Sequence, residues 1–376
     1  MVSANAKKFR VLVVDDSAFM RKVLETIFNA DDQLQVVGQA KDGREAIALS
    51  ESLKPDVITM DLNMPHMDGL QATAHIMTNN PRPIVIVSSE SKEGAASTLK
   101  SLELGAIDFV AKPSGGIDLD MQSVKDDLLR KVRVAAKVRV VRTASRLANA
   151  VQAPTKPPAA KGASPSPAQP PAQISDNLRF PVVVLAASTG GPATVMRLAP
   201  GFTRDFPAAV ILVQHMPASF TSQYALQLSE FTGIRVKEAE ANDVLQPGTL
   251  FVCPGGQHLR VSPTARIQLD ATSGRIDGYL PNIDVTMESV AAYAGTMSIG
   301  VVLTGMGSDG ARGARAIKQA GGFVVAQDEA TSVIFGMNAE AIKAGVVDHT
   351  LGIDEIYAAI EKRVLGLSKT APVEVR

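Results

Sequence analysis

The chain of 376 residues has one cysteine, no net charge and no long apolar run. Each shortage removes a class of explanation. With Cys253 alone, internal disulfides and cysteine-built metal centres are excluded, and a reducing compartment is expected. Lysine plus arginine and aspartate plus glutamate stand at 38 each, so no general attraction to nucleic acid or to an anionic membrane is expected. No uninterrupted apolar stretch reaches membrane-spanning length, and the Val11–Val14 run stops at two aspartates, too short for a signal-peptide core. A cytoplasmic protein without membrane insertion is the expectation. What is present, 45% apolar composition over this length, predicts two ordinary globular cores.

The first half repeats one unit. Phe9–Val14 reads as a buried strand ending in Asp15 and Asp16, and Ser17 then caps a helix with Phe19, Met20, Val23, Leu24, Ile27 and Phe28 on one face. Further strands are predicted at Leu34–Val37, Asp56–Met60, Ile84–Val87 and Asp108–Ala111, each alternating with a helix. Strands returning through right-handed crossovers share one rim at their C-terminal ends. Asp15, Asp16, Asp61, Ser88 and Lys112 all fall there. Three carboxylates suit a magnesium ion, a hydroxyl suits a phosphoryl oxygen, and a lysine suits the added charge.

These residues, with Met60-Asp61-Leu-Asn-Met-Pro65, Met67-Asp-Gly69 and Gly105-Ala-Ile-Asp-Phe109, resemble the receiver domain of two-component response regulators. The resemblance implies a (βα)5 flavodoxin-like fold over residues 1–140. It implies Asp61 as phosphoacceptor, Asp16 as a direct Mg²⁺ ligand assisted by Asp15, and Asn63 ligating through its backbone carbonyl. It further implies Ser88 and Phe109 as a switch pair, Lys112 as the phosphoryl contact, and a histidine kinase as phosphodonor.

Between the halves, Pro154–Pro171 combines proline with Ala, Ser, Lys and Gln and offers no large apolar anchor, so residues 141–178 are expected to form a flexible tether.

The second half, 179–370, again places polar residues at the ends of apolar strands. Val182–Ala186 runs into Ser188-Thr-Gly-Gly-Pro192, a strand, a sharp turn and a helix start. The hydroxyl there sits beside free N–H groups, as a nucleophile with an oxyanion hole requires; taken alone, the stretch fits a capping serine or phosphate-cradling turn better. Ala209–Val213 leads to Gln214-His215, and Ile299–Leu303 leads to Thr304-Gly-Met-Gly-Ser-Asp309-Gly310. His215 can take the proton of Ser188 while Asp309 orients the imidazole. Spacing alone leaves a rival open, because Gly305-Met-Gly307-Ser-Asp-Gly310 between strand and helix is also the dinucleotide-binding pattern of a nucleotide oxidoreductase. A non-catalytic or DNA-binding response regulator is a further reading, against which the second half lacks a basic helix-turn-helix pattern. The Pro-Gly-Gly turn within 248–258 predicts a β-hairpin beside the sheet, and His258 reads as structural.

Ala187-Ser-Thr-Gly-Gly191, Gln214-His-Met-Pro217, Val252-Cys-Pro-Gly-Gly-Gln-His258, Leu303–Gly310 and Ala326-Gln-Asp-Glu329 together resemble the chemotaxis protein-glutamate methylesterases, the CheB family. The resemblance implies a doubly wound, mostly parallel α/β esterase domain with a triad of Ser188, His215 and Asp309, and with the Thr189 and Met306 N–H groups as oxyanion donors. It implies no cofactor for ester hydrolysis, methyl-accepting chemotaxis proteins as substrates, and a monomer. Two departures stand out: Asn338 where the family usually has proline, and Thr286-Met287 where it usually has Leu-Phe.

Overall fold

The computed structural model describes residues 8–88, 91–112, 120–138 and 180–370. The tether expected over 141–178 lies outside the described residues, as does Pro113. The first sheet is built from β1 (Phe9–Val14), β2 (Leu34–Ala40), β3 (Val57–Met60), β4 (Ile84–Ser88) and β5 (Asp108–Ala111), interleaved with α1 (Ala18–Asn29), α2 (Gly43–Leu53), α3 (Gly69–Asn79), α4 (Lys92–Glu103) and α5 (Asp120–Ala135). All pairings are parallel, in the order β2-β1-β3-β4-β5. The order reverses between β1 and β3, so the carboxylates that end these two strands face one crevice. Helix starts agree with the sequence. Ser17, Asp42, Asp68 and Ser91 each accept a backbone N–H as N-caps, and Gln71 completes a capping box with Asp68. Each cap stabilises its helix by about 1 kcal/mol.

The second sheet has seven parallel strands in the order β14-β13-β12-β6-β7-β9-β8. They are β6 (Val182–Ala187), β7 (Ala209–Gln214), β8 (Arg235–Glu238), β9 (Thr249–Val252), β12 (Ser298–Val302), β13 (Phe323–Gln327) and β14 (His349–Leu351). Helices α6 (Gly191–Leu198), α7 (Ala218–Phe231), α8 (Ile283–Ala294), α9 (Ala311–Gln319), α10 (Met337–Lys343) and α11 (Ile353–Thr370) cover it. Buried on both faces, β6 alternates strictly: Val183, Leu185 and Ala187 enter one core, Val182, Val184 and Ala186 the other. Each fully buried valine or leucine contributes about 1.5–3 kcal/mol. The strand order sets β12, β6 and β7 side by side, and these are the strands that lead into Asp309, Ser188 and His215.

One expectation is corrected. The Pro-Gly-Gly segment is not a hairpin turn: β9 joins the large sheet, while the hairpin pairs β10 (His258–Val261) with β11 (Ile267–Asp270), turning at 262–266. The glycine serves close approach instead, since a Cβ at Gly255 would collide with the Met216 carbonyl oxygen and the Ala218 nitrogen.

The two halves meet through helices. Helix α4 lies against α6 and α7. The rings of Phe109 and Phe220 approach to 4.4 Å between centroids. Gln227 donates to Glu103, and one buried apolar cluster runs through both halves. No described helix is long and apolar enough to cross a membrane.

Candidate active site and acidic rim

At the rim of the seven-stranded sheet, the His215 Nδ1 lies 3.1 Å from the Ser188 Oγ and its Nε2 lies 2.8 Å from the Asp309 Oδ2. A carboxylate at Nε2 holds the proton on that nitrogen, which leaves Nδ1 as the acceptor facing the hydroxyl. Asp309 is itself fixed: its Oδ2 accepts from the Ile283 N–H at 2.8 Å and its Oδ1 from the Asp284 N–H at 2.9 Å. It therefore occupies the positive end of α8. Asp284 returns the arrangement, its Oδ1 accepting from the N–H groups of Gly310 at 2.9 Å and Gly313 at 2.7 Å, at the start of α9. Each carboxylate caps the other's helix. Burial pushes the Asp284 carboxyl up to about 6; the Gly313 N–H opposes this and the Asp309 charge adds to it.

The serine turn is tied from three sides. The Ser188 N–H donates to the Thr304 carbonyl at 3.1 Å, the Gln214 amide donates to the Ser188 carbonyl at 2.9 Å, and the Thr304 hydroxyl donates to the Thr189 carbonyl at 3.0 Å. Among the described residues, the Thr189 and Met306 N–H groups donate to no protein acceptor. A Cβ at Gly305 would lie 2.8 Å from the Ser188 Cβ, so that glycine lets the Met306 loop close on the serine. The glycine pattern thus has a packing cause. The α9 N-terminus, where a dinucleotide pyrophosphate would bind, is filled by the Asp284 carboxylate, which disfavours the oxidoreductase reading.

Other expectations find their places. His258 is buried between the Gly274 carbonyl, 2.8 Å from Nε2, and the Asn282 N–H, 3.1 Å from Nδ1, a structural clamp as expected. Asn338 is buried and donates to the Gln327 carbonyl at 2.9 Å and the Ser332 hydroxyl at 2.7 Å, tying the 328–336 loop to β13. Thr286 donates to the Leu259 carbonyl at 2.8 Å and Met287 enters the core, so both departures on α8 concern packing. Sequence reasoning gave no role to Asp284 or Tyr279, though the ring of Tyr279 stacks on His215. Only the Asp277-Gly278 pair, a strong tight-turn signal, hinted at the local hairpin that presents that ring.

At the rim of the five-stranded sheet, Asp15, Asp16 and Asp61 offer oxygens within 4.8 Å of one another. Lys112 Nζ pairs with Asp15 at 2.7 Å and Asp61 at 2.9 Å. Burial raises the Asp61 carboxyl, against the pull of Lys112. For Lys112, burial acts downward, but the bonds to Asp15 and Asp61 prevail and raise it. Ser88 ends β4, buried, and Asn63 is exposed beside Asp61. Phe109 on β5 is buried with its carbonyl accepting from Lys131 at 2.7 Å. Three carboxylates within this span match the hard-oxygen donor set of a divalent cation.

Comparison with known proteins matches both halves. Residues 183–360 match the CheB methylesterase family and residues 11–122 the response regulator receiver domain. A protein-glutamate methylesterase/protein-glutamine glutaminase from Pyrococcus horikoshii is 42% identical over 360 residues, covering 95% of this chain and 94% of that protein. Another from Nitratidesulfovibrio vulgaris is 43% identical over 93% of this chain and 98% of that protein. The crystal structure of the Thermotoga maritima CheB methylesterase catalytic domain, 34% identical, covers 49% of this chain and 99% of that chain with a TM-score of 0.48. The chain belongs to the protein-glutamate methylesterase/protein-glutamine glutaminase family, with a response regulator receiver domain ahead of a CheB methylesterase domain.

Proposed function

We propose that this chain hydrolyses glutamate methyl esters, and deamidates glutamines, on methyl-accepting chemotaxis receptors, under the control of phosphorylation at Asp61 in the cytoplasm. The observation that carries the catalytic reading is the hydrogen-bonded line from Ser188 through His215 to Asp309 across three adjacent strands. The Ser188 Oγ attacks the ester carbonyl while the His215 Nδ1 takes its proton, and Asp309 stabilises the imidazolium that forms. The tetrahedral oxyanion accepts from the Thr189 and Met306 N–H groups. Methanol departs with the proton held on His215, or ammonia from an amide, leaving an acyl-enzyme that water hydrolyses by the same groups. No cofactor is needed for these steps.

Phosphorylation belongs to the other rim. Asp61 accepts the phosphoryl group from a histidine kinase; Asp15, Asp16 and Asp61, with the Asn63 carbonyl, would hold Mg²⁺, which would supply charge neutralisation for the transfer. Lys112 then pairs with the added charge, and Ser88 and Phe109 carry the switch. Residues 1–140 and 179–370 act as two units on the 141–178 tether. Docked as they are, Ser188 is 5% exposed and the Val333 side chain bridges its turn to the receiver core. Occlusion relieved by phosphorylation is the simplest coupling, since a tether makes even a weak interface effective. The test is methanol release from methylated receptor membranes, with and without a small phosphodonor. Release that rises with the phosphodonor is expected; no release in either condition overturns the esterase reading.

A further inference from the structure

We infer that Tyr279 is a positioning residue for the imidazole of His215. This rests on the reading of Ser188, His215 and Asp309 as the esterase triad. The phenol ring lies flat on the imidazole, with centroids 4.3 Å apart and planes 12° from parallel. The two hydrogen bonds of His215 run to opposite partners from its two nitrogens, so they fix a line through the ring but leave tilt about that line soft. A flat neighbour removes that freedom.

Tyr279 is itself firmly placed. Ile276 and Tyr279 exchange backbone hydrogen bonds of 3.0 and 2.9 Å, and Asp277 and Gly278 between them have φ of 52° and 86°, a two-residue hairpin of the type favoured by Asp-Gly. Arg312, from the first turn of α9, reaches the tip of that hairpin at Asp277, 3.2 Å away. The buried His258 clamps the loop on both flanks, at Gly274 and at Asn282. The phenol end reaches the oxyanion loop, for a Cβ at Gly307 would collide with its hydroxyl. One side chain thus touches the base and the loop that carries Met306.

During acyl transfer the imidazole becomes a cation, and an aromatic face in contact with it favours that charged state. The ring therefore acts on the transition state more than on bound substrate, and its loss should appear in kcat and hardly in KM.

The experiment measures kcat and KM for methanol release from methylated receptor membranes by the phosphodonor-treated full chain. Tyr279→Ala and Tyr279→Leu should each lower kcat about tenfold with KM within about twofold, and Tyr279→Phe should restore kcat to within about twofold of wild type. Leucine keeps bulk without a π face, so it decides the matter should the alanine variant fail to fold. Wild-type kcat in Tyr279→Leu, or a change confined to KM, overturns the inference. Ser188→Ala run alongside separates the two claims: turnover persisting there defeats the triad reading, whereas an inactive Ser188→Ala beside a fully active Tyr279→Leu defeats only the role of Tyr279.

Discussion

On the receiver rim Asp61 accepts from its own loop, the Leu62 N–H at 2.8 Å and the Asn63 N–H at 3.4 Å, and shares one lysine with Asp15 while Asp16 faces solvent; on the Ser188 rim Asp309 accepts from His215 and from two backbone N–H groups at the start of a helix distant in sequence. Both rims lie at the carboxyl ends of parallel strands, and both begin with an apolar strand broken by a polar residue. They differ in what fixes the charge. The receiver carboxylates face one another with a single amine between them, and burial already biases Asp61 toward its neutral form. A bound cation would be the largest charge in such a cluster and would invert its balance. In the esterase half a helix start holds Asp309, a stacked ring covers His215, and Thr304 and Gln214 tie the Ser188 turn, so the geometry exists before substrate does. A switch is built from competing charges, and a catalyst from satisfied ones.

The contrast is broken most severely at Ser188. Ser188→Ala, and likewise His215→Ala, should lower ester hydrolysis by about 10⁴-fold or more while the thermal midpoint stays near wild type, because triad members act as a unit. Methanol release near the wild-type rate in either variant would remove the assignment. At the other rim, Asp61→Ala should abolish labelling by a small phosphodonor yet leave the basal esterase unchanged, and chelation of Mg²⁺ should do the same to wild type. Label that persists in Asp61→Ala means another acceptor.

A smaller effect tests how the rims communicate. If the docked receiver shields Ser188, the isolated fragment 179–376 should hydrolyse methyl esters about tenfold faster than the unphosphorylated full chain, a shift of about 1.4 kcal/mol in the open population, and should ignore the phosphodonor. A fragment slower than the resting chain, with the same circular dichroism, requires the receiver to activate directly.

Much of this was legible in the sequence, for a physical reason. Parallel strands buried on both faces leave nearly continuous apolar runs, so Asp15 and Ser188 announce themselves as the first polar residues after theirs, Asp61 ends a run broken only by the buried Thr59, and His215 follows its run with Gln214 between. Where a glycine had a tertiary cause, local reading failed: Pro254-Gly255-Gly256 imitates a hairpin turn, but Gly255 makes room for the Met216–Ala218 backbone. Asp284 was invisible for a related reason. In sequence it is an acidic residue in the first turn of α8 and reads as complementing that helix's own dipole. Its carboxylate in fact caps α9, a relation no local pattern contains. Tyr279 reaches His215 from a loop far along the chain, so only the folded protein brings the rings together.

Asp284 supplies the smallest predicted effect on activity and the finest test of how satisfied the esterase rim is. Its carboxyl stands at about 6 against 3.8 for the ordinary group, with burial the main cause and Asp309 adding to it, while the N–H groups of Gly313 and Gly310 and the Arg312 charge oppose the rise. The folded state therefore binds the proton more tightly than the unfolded chain. The stability this gives is fully present below about pH 4 and is lost as pH rises through about 6. On the order of 1–3 kcal/mol is at stake. Because Oδ1 alone accepts both glycine N–H groups, Asp284→Asn can keep both caps while discarding the buried charge. Urea unfolding at about pH 4.5 and about pH 7.5 should then show the variant losing less stability than wild type between the two, with esterase activity at the higher pH within a few-fold of wild type. Parallel losses in the two proteins would mean that the buried carboxylate is already compensated at neutral pH by the helix end it caps.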